Sequence, residues 1–256
     1  VRGGGPDENL IMLDGVPLYN VSHAMGMFSV FNADAIKNVT LYKGNFPARF
    51  GSRLSSVIDV RQNDGNSAFW HGGITVGLLA AKMNVEGPIF TKAQLDSLKR
   101  DLEPRAKTTF NISARRTYFD LFLAPILAAV SRQDGFSMTG GYYFYDINAK
   151  VSHTFSDRDK LSATYYMGDD VMYMRYSDKS SGDFDKMGVR FTWGNIMAAT
   201  NWEHQITPRL YSNLQASYTR YQYRLGQSMN AKYRDEESTY IFDQSMTYSS
   251  NIHDVT

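Results

Sequence analysis

Enzymatic chemistry needs a nucleophile beside a base, two carboxylates in reach of one substrate, or a cluster of metal ligands. The 256-residue chain spells out none of these. It has no Cys, which removes thiolate zinc sites, cysteine nucleophiles and disulfide scaffolds. Its five His residues (23, 71, 153, 204 and 253) show no ligand spacing, so no metal site is expected. Gly3-Gly4-Gly5 is followed by Pro6-Asp7, not by the Gly-Lys-Ser/Thr that a phosphate loop requires. Asp169, Asp170, Asp178, Asp183 and Asp185 crowd one stretch and could gather calcium, although a solvated acidic rim is the simpler reading. The expectation is a protein without catalytic residues and without a cofactor.

Composition narrows the class further. There are 27 Lys and Arg against 26 Asp and Glu, a formal charge of +1, which argues against a nucleic-acid partner. The longest apolar run, Leu121 to Val130, is far short of the ~20 residues that a membrane-spanning helix needs. Yet there are 17 Tyr and 15 Phe in a chain whose mean hydropathy is −0.39. Rich in aromatics but polar on average describes a sheet with one greasy face, including a transmembrane β-barrel. The opening Val1-Arg2-Gly3, without start Met or signal peptide, and an end inside an apparent strand suggest a piece of something longer.

The elements that would position such side chains fall into two textures. Up to about residue 65 the chain is dense in Gly and turn signals. Leu10 to Leu13, Asp14-Gly15 and Val16 to Tyr19 read as strand, tight turn, strand. A short helix is expected at Asn32 to Lys37 with Asn32 as cap, then strands at Val39 to Tyr42 and Ser56 to Val60. After Ser67 long alternating segments take over. In Tyr143 to Phe155 the odd positions run Tyr, Tyr, Ile, Ala, Val, His, Phe, while Asp146, Asn148, Lys150, Ser152 and Thr154 fill the even ones. Similar alternation at 73–80, 81–89, 109–115, 161–167, 196–206, 210–219 and 239–252 makes eight candidate strands. Tight turns at 156–160 and 207–209 alternate with longer connections at 119–141, 177–186 and 226–238, the asymmetry of an outer-membrane barrel. Leu95, Leu98 and Leu102 predict a small amphipathic helix at the rim that carries the tight turns. The apolar stretch 121–130, with Pro125, reads as a cap or loop helix at the other rim. Aromatics at 142–145 and 218–223 read as membrane girdles. A soluble β-sandwich also alternates, but its strands run to ~5–6 residues.

Three stretches of the first region resemble a known family. They are Val1-Arg2-Gly3-Gly4 leading into Asn9 to Asn20, Phe28 to Asn32, and Ile36 to Val60 with its Lys43-Gly44 and Ala48-Arg49-Phe50-Gly51. Together they look like the C-terminal half of the plug domain of TonB-dependent outer-membrane receptors, in the flavour common among Bacteroidota-like bacteria. Glu86-Gly87-Pro88 and Arg115 to Tyr118 are softer matches to early barrel strands. The resemblance implies a mainly β protein, with residues 1–65 as a small α+β plug fragment. Residues 66–256 would be about eight antiparallel strands of a larger, 22-strand-type barrel.

The same resemblance implies roles. Tyr19, Asn20, His23 and Phe28 follow the Leu-Asp-Gly hairpin; if that loop faces outward they are ligand-contact candidates, suited to a sugar or chelate, with ordinary packing as the alternative. Arg49 and Arg53, with Asp14 and Asp59, are candidates for ion pairs that latch plug to wall, or else solvated lumen charges. The wall facing the plug is expected to be polar, so that pulling rearranges the plug without unfolding the barrel. Implied partners are a TonB-type energy-transducing protein, whose binding segment is not among these residues, outer-membrane lipid and a surface lipoprotein. The implied function is energy-coupled import of a scarce nutrient across the outer membrane of a Gram-negative bacterium. A non-transporting plugged barrel that serves a surface complex, and a soluble glycan-binding β-domain, are the alternatives.

Overall fold

The computed structural model describes residues 8–43, 50, 55–92, 94, 106–131, 136–178, 184–234 and 239–255; for 136, 178, 184–185, 230–234 and 239–255 it describes the backbone alone. Fourteen strands are assigned among them. The first six are short: β1 (Asn9–Leu13), β2 (Val16–Pro17), β3 (Ser22–His23), β4 (Phe28–Ser29), β5 (Ile36–Tyr42) and β6 (Ser56–Gln62). The others form one sheet: β7 (His71–Val76), β8 (Ala80–Ile89), β9 (Thr108–Thr117), β10 (Phe136–Ser156), β11 (Asp159–Asp178), β12 (Phe184–Thr207), β13 (Leu210–Arg234) and β14 (Thr239–Val255). One helix, α1 (Phe119–Ser131), stands between β9 and β10.

The N-terminal unit is a four-stranded sheet in the order β2-β1-β6-β5, with β1 parallel to β6 and the other pairs antiparallel. Asp14 and Gly15, at φ 48° and 84°, make the turn between β1 and β2, where Gly carries the positive φ without a Cβ clash. The helix expected at Asn32 to Lys37 shrinks to one tight turn, Ala33–Ala35. Asn32 does cap it, its Oδ1 accepting from Asp34 N at 3.3 Å. Ile36 already has extended backbone because β5 begins there and pairs with β6, and sheet hydrogen bonds outweigh the weak helical preference of so short a run.

The large sheet is antiparallel throughout and ordered as the chain runs, β7 to β14. All eight expected strands are present, but several extend further. β10 and β11 pair from Ser156↔Asp159 to Phe136↔Asp178, and β12 and β13 from Thr207↔Leu210 to Phe184↔Lys232. The alternation legible in the sequence covers only the part with an apolar face, whereas backbone pairing continues beyond it. Turns at 157–158 and 208–209 close one end of the sheet; the connection at 77–79 at the opposite end is also short, unlike its neighbours.

Helix α1 covers the expected loop helix, with Pro125 inside it. Ser131 at its end accepts from Met138 N at 2.8 Å, tying α1 to β10. The amphipathic helix expected around Leu95 to Leu102 lies outside the described residues. No helix among the described residues is long and apolar enough to cross a membrane, which says nothing of crossing by strands.

Candidate functional site

Because side chains alternate along a strand, each strand of the large sheet sends one set toward the N-terminal unit and the other set away. Asp146, Asn148, Lys150, Thr164, Asp170, Asn195 and Gln215 all bond to that unit. The opposite set includes Val151, Leu161, Trp202 and Leu214, which are exposed. This is the facing that the alternation implied.

Near the tight-turn end a polar seam joins the two units. Lys150 Nζ lies 3.2 Å from Asp14 Oδ2 and 3.0 Å from Asp64 Oδ1. Lys160 Nζ lies 2.8 Å from Asp64 Oδ2. Thr164 Oγ1 donates to Asp14 Oδ2 at 2.8 Å, Gln62 Nε2 to Asn148 Oδ1 at 3.2 Å, and Gln215 Nε2 to Asp14 O at 2.8 Å. Burial pushes the Asp64 carboxyl up, but the ammonium groups of Lys150 and Lys160 overcome it and hold Asp64 well below the usual carboxylate range. The seam borders a cavity of about 320 Å³ lined by Arg61, Glu203 and Asn213 as well as by the residues just named other than Asn148.

Toward the other end, a second cluster is almost dry. His23, Asp146 and Asp170 are all buried, with His23 Nδ1 2.7 Å from Asp170 Oδ2 and Nε2 3.7 Å from Asp146 Oδ2. The imidazole stacks on Phe144 at 4.2 Å. Arg115 closes the cluster, its Nη2 2.7 Å from Asp146 Oδ2 and donating to Ser29 O at 2.7 Å. Tyr142 donates to Asp170 and accepts from Ala24 N at 2.7 Å. The bond to Ala24 N anchors a left-handed stretch at Ala24 and Met25, φ 51° and 55°, a conformation uncommon for non-glycine residues.

The interface is not the wholly polar one that the wall's Asn, Ser, Thr, Glu and Lys suggested. Leu13, Val16, Leu18, Val30 and Val60 pack against Tyr166, Met197 and Ala199 of the large sheet in one buried apolar cluster. Met197 and Ala199 sit on β12 between Asn195 and Asn201, so the polar face has an apolar patch at the height where the N-terminal unit presses on it.

Beyond this cluster a groove of about 440 Å³ opens toward the end away from the tight turns. Asn20, Ser22 and Met25 form one side, and Phe191, Trp193, Tyr221 and Tyr223 the other. Phe191 and Trp193 ring centroids are 4.9 Å apart, and Phe191 and Tyr223 6.5 Å. Tyr221 and Tyr223 therefore belong to the inner face rather than to a membrane girdle, as do Tyr142 and Phe144, while Tyr143 and Tyr145 remain outward. The signal was in the parity of each aromatic, which the girdle reading ignored.

The candidate residues separate in the same way. Asn20 lines the groove and its backbone carbonyl accepts from Asn195 Nδ2 at 2.6 Å. Tyr19 is partly exposed, whereas His23 and Phe28 turn inward onto Phe144. Asp14 joins the seam through Lys150, but Asp59 pairs within its own strand, 2.9 Å from Arg61 Nη2. Arg49 and Arg53 lie outside the described residues. Lys150, Lys160, Asp64 and Arg115 were not among the candidates; alternation put Lys150 on the polar face, but no local spacing pairs these residues with their partners. Asp169 and Asp170 point to opposite faces, outward to Tyr145 and inward to His23, so they cannot share a cation; the side chains of Asp178, Asp183 and Asp185 lie outside the described residues.

Comparison with known proteins bears on the N-terminal unit first: residues 1–57 match the family model described as the TonB-dependent Receptor Plug Domain. No curated protein matches the chain. Among solved structures it resembles the ferric enterobactin receptor of Pseudomonas aeruginosa at 11% identity, over 99% of this chain and 51% of that one, with a TM-score of 0.42. The siderophore receptor PirA of Acinetobacter baumannii matches at 12% identity over 99% and 50%, TM-score 0.42. The outer membrane transporter YddB of Escherichia coli matches at 10% over 99% and 48%, TM-score 0.39. The chain thus spans about half the length of these structures. By this match, the N-terminal unit is similar to the plug domain of TonB-dependent receptors.

Proposed function

We propose that the protein imports a scarce nutrient (a siderophore, a vitamin, or an oligosaccharide or peptide) by a rearrangement of the plug driven from the periplasm through a TonB-type protein. In this reading residues 1–65 work as the plug and 66–256 as barrel wall, with outer-membrane lipid around them and a surface lipoprotein as a further partner. The observation that carries it is the layered contact between plug and wall. An aromatic groove at the outer end with Asn20 in its lining suits a sugar or chelate. Beneath it lies the seam of Asp14, Asp64, Lys150 and Lys160 beside a cavity large enough for water. Hydrogen bonds in such a seam exchange for water at a net ~0.5–1.5 kcal/mol each, so a pull can open it stepwise. Arg49 and Arg53 remain candidates for the same latch.

The test is uptake by cells that produce the full-length protein, offered radiolabelled ferric siderophores, cobalamin and oligosaccharides, with and without a proton-motive force. Energy-dependent accumulation of one ligand, reduced in Lys150→Met and Asn20→Ala variants that still assemble, is the expected result. Binding without energy-dependent accumulation would favour the non-transporting receptor of a surface complex.

A further inference from the structure

The apolar face of the large sheet changes sides with height. In an apolar band that includes Ile147 to Phe155 on β10 and Leu161 to Met167 on β11, the greasy positions point outward. Past that band, on the side away from the tight turns, the phase reverses. The outward positions there include Ser137, Thr139, Arg175, Ser177, Lys186 and Ser228, whereas the inward ones are rich in methionine. Met172, Met174, Met187 and Met229 share the parity that sends Asp170, Asn195 and Gln215 onto the plug.

These four methionines are 38–53% exposed, and Met25 of the plug, 87% exposed, lines the same groove as Met172. Met187 pairs directly with Met229 on one side and with Tyr176 on the other, so the row continues across three strands. Met172 pairs with Phe191, whose ring centroid is 4.9 Å from that of Trp193, and Trp193 stacks on Tyr142 at 6.3 Å. Among the side chains described on β10 to β13, no inward charge occurs past Asp170, and Asp170 is closed off by His23 and Tyr142. Past Tyr142 the inward positions carry only Gln227 and the Tyr176 hydroxyl as hydrogen-bonding groups. The connections at 179–183 and 235–238 hold too few residues to fold back over the ~13 Å of strand that these rows occupy.

We infer that this methionine face selects the ligand: an uncharged molecule with a broad apolar or aromatic body, rather than an anionic chelate or an oligosaccharide. The inference rests on the import reading and narrows its ligand class. An anionic chelate would leave water for a wall with no cation opposite it, and nothing would offset its desolvation. A sugar would give up hydrogen bonds to water that Gln227 and Tyr176 replace only in part. Thioether side chains are unbranched and polarizable, so they adapt to an apolar surface and pack against ring edges. A ligand of that kind also removes from water the apolar rows that the plug leaves uncovered.

The experiment uses the full-length protein in detergent, offered uncharged ferric tris(tropolonate), an anionic ferric tris(catecholate) chelate or maltoheptaose. Binding is measured by equilibrium dialysis with empty micelles as the blank. The uncharged chelate should bind about tenfold tighter than either of the others. Met172→Lys/Met174→Lys should invert the preference between the two chelates, and Met172→Leu/Met174→Leu should keep it. Met187→Lys/Met229→Lys reads the same inversion nearer the rim, should the first pair fail to assemble. Thr139→Lys, outward on β10 at the same height, should leave the preference as in the wild type. Heat-modifiable gel mobility confirms that each variant is a folded barrel. A wild type that binds the anionic chelate or maltoheptaose as tightly as the uncharged chelate, or binds none of them, would overturn the inference, as would folded Lys variants with an unaltered preference. Selective binding of the uncharged chelate without energy-dependent accumulation in cells would remove the import reading and leave the selectivity standing.

Discussion

Lys150 is the residue on which the seam turns, since its single ammonium serves a carboxylate from β1's turn and another from the segment after β6. Its side chain and that of Asp14 are only 9% and 8% exposed, so solvent does little to screen them. Lys150→Met leaves Asp14 without a cation, though Thr164 and Gln62 N still donate to it, while Asp64 keeps Lys160; it is expected to destabilise plug docking by roughly 3 kcal/mol, with part recovered in Lys150→Met/Asp14→Asn. Hydrogen exchange of β1 and β6 amides in the purified receptor measures it; unchanged protection would show that the apolar cluster alone holds the plug. Asp64 predicts a pH dependence with a definite sign. Its folded pKa lies below the ordinary 3.8, so the folded protein binds that proton less readily than the unfolded chain. The stabilisation is therefore complete above pH 3.8 and is lost as pH falls below it toward the folded value. Protection of the seam amides should be flat from neutral pH down to that point and then decline. Asp64→Asn should flatten the decline, and a decline that Asp64→Asn leaves untouched would assign it to other carboxylates.

At the level of elements, the β1–β2 turn decides whether the plug's edge can reach the wall. Gly15 sits at φ 84°, and a Cβ there would meet the Gln215 amide at 3.0 Å, the same amide that donates to Asp14 O at 2.8 Å. Gly15→Ala is thus strained in backbone and crowded against its partner, and about 1–2 kcal/mol of docking stability should go with it. Ala24→Gly makes the converse case, because φ is 51° there and glycine relieves the strain. Thermal unfolding of the two variants should shift in opposite directions; a loss in both would mean that the Ala24 methyl group contributes more packing than the turn costs.

For the molecule as a whole, the two faces of one sheet carry opposite tolerances. Trp202 points outward within the apolar band and packs with Leu161 and Leu214, while its neighbour Asn201 borders the inner cavity. An arginine on the lipid face costs roughly 2–4 kcal/mol near the bilayer midplane and far less beside water. Trp202→Arg should sharply reduce the heat-modifiable folded barrel, and Asn201→Arg should leave it near wild-type amounts. Equal loss in both would contradict the assignment of faces.

What the sequence determined by itself is what depends on local period and local turn chemistry. Odd and even positions from Tyr143 to Phe155 settle which residues share a face, and Asp14-Gly15 settles a tight turn, because pleat and φ act within a few bonds. The plug stretches from Asn9 to Val60 were recognisable for the same reason: their turns and strands are continuous in the chain. Partners were not legible. His23 meets Asp146 and Asp170, and Asp14 meets Lys150 and Thr164, across separations that no periodicity encodes. Those meetings depend on the register of β10 and β11 together with where the plug presses on the wall. Parity says that Tyr223 and Trp193 share a face, but only the plug's position shows that this face is the inner one at that height. Arg116, Arg175 and Arg190 are likewise scattered over β9, β11 and β12, and they line one groove only because strand pairing brings them together.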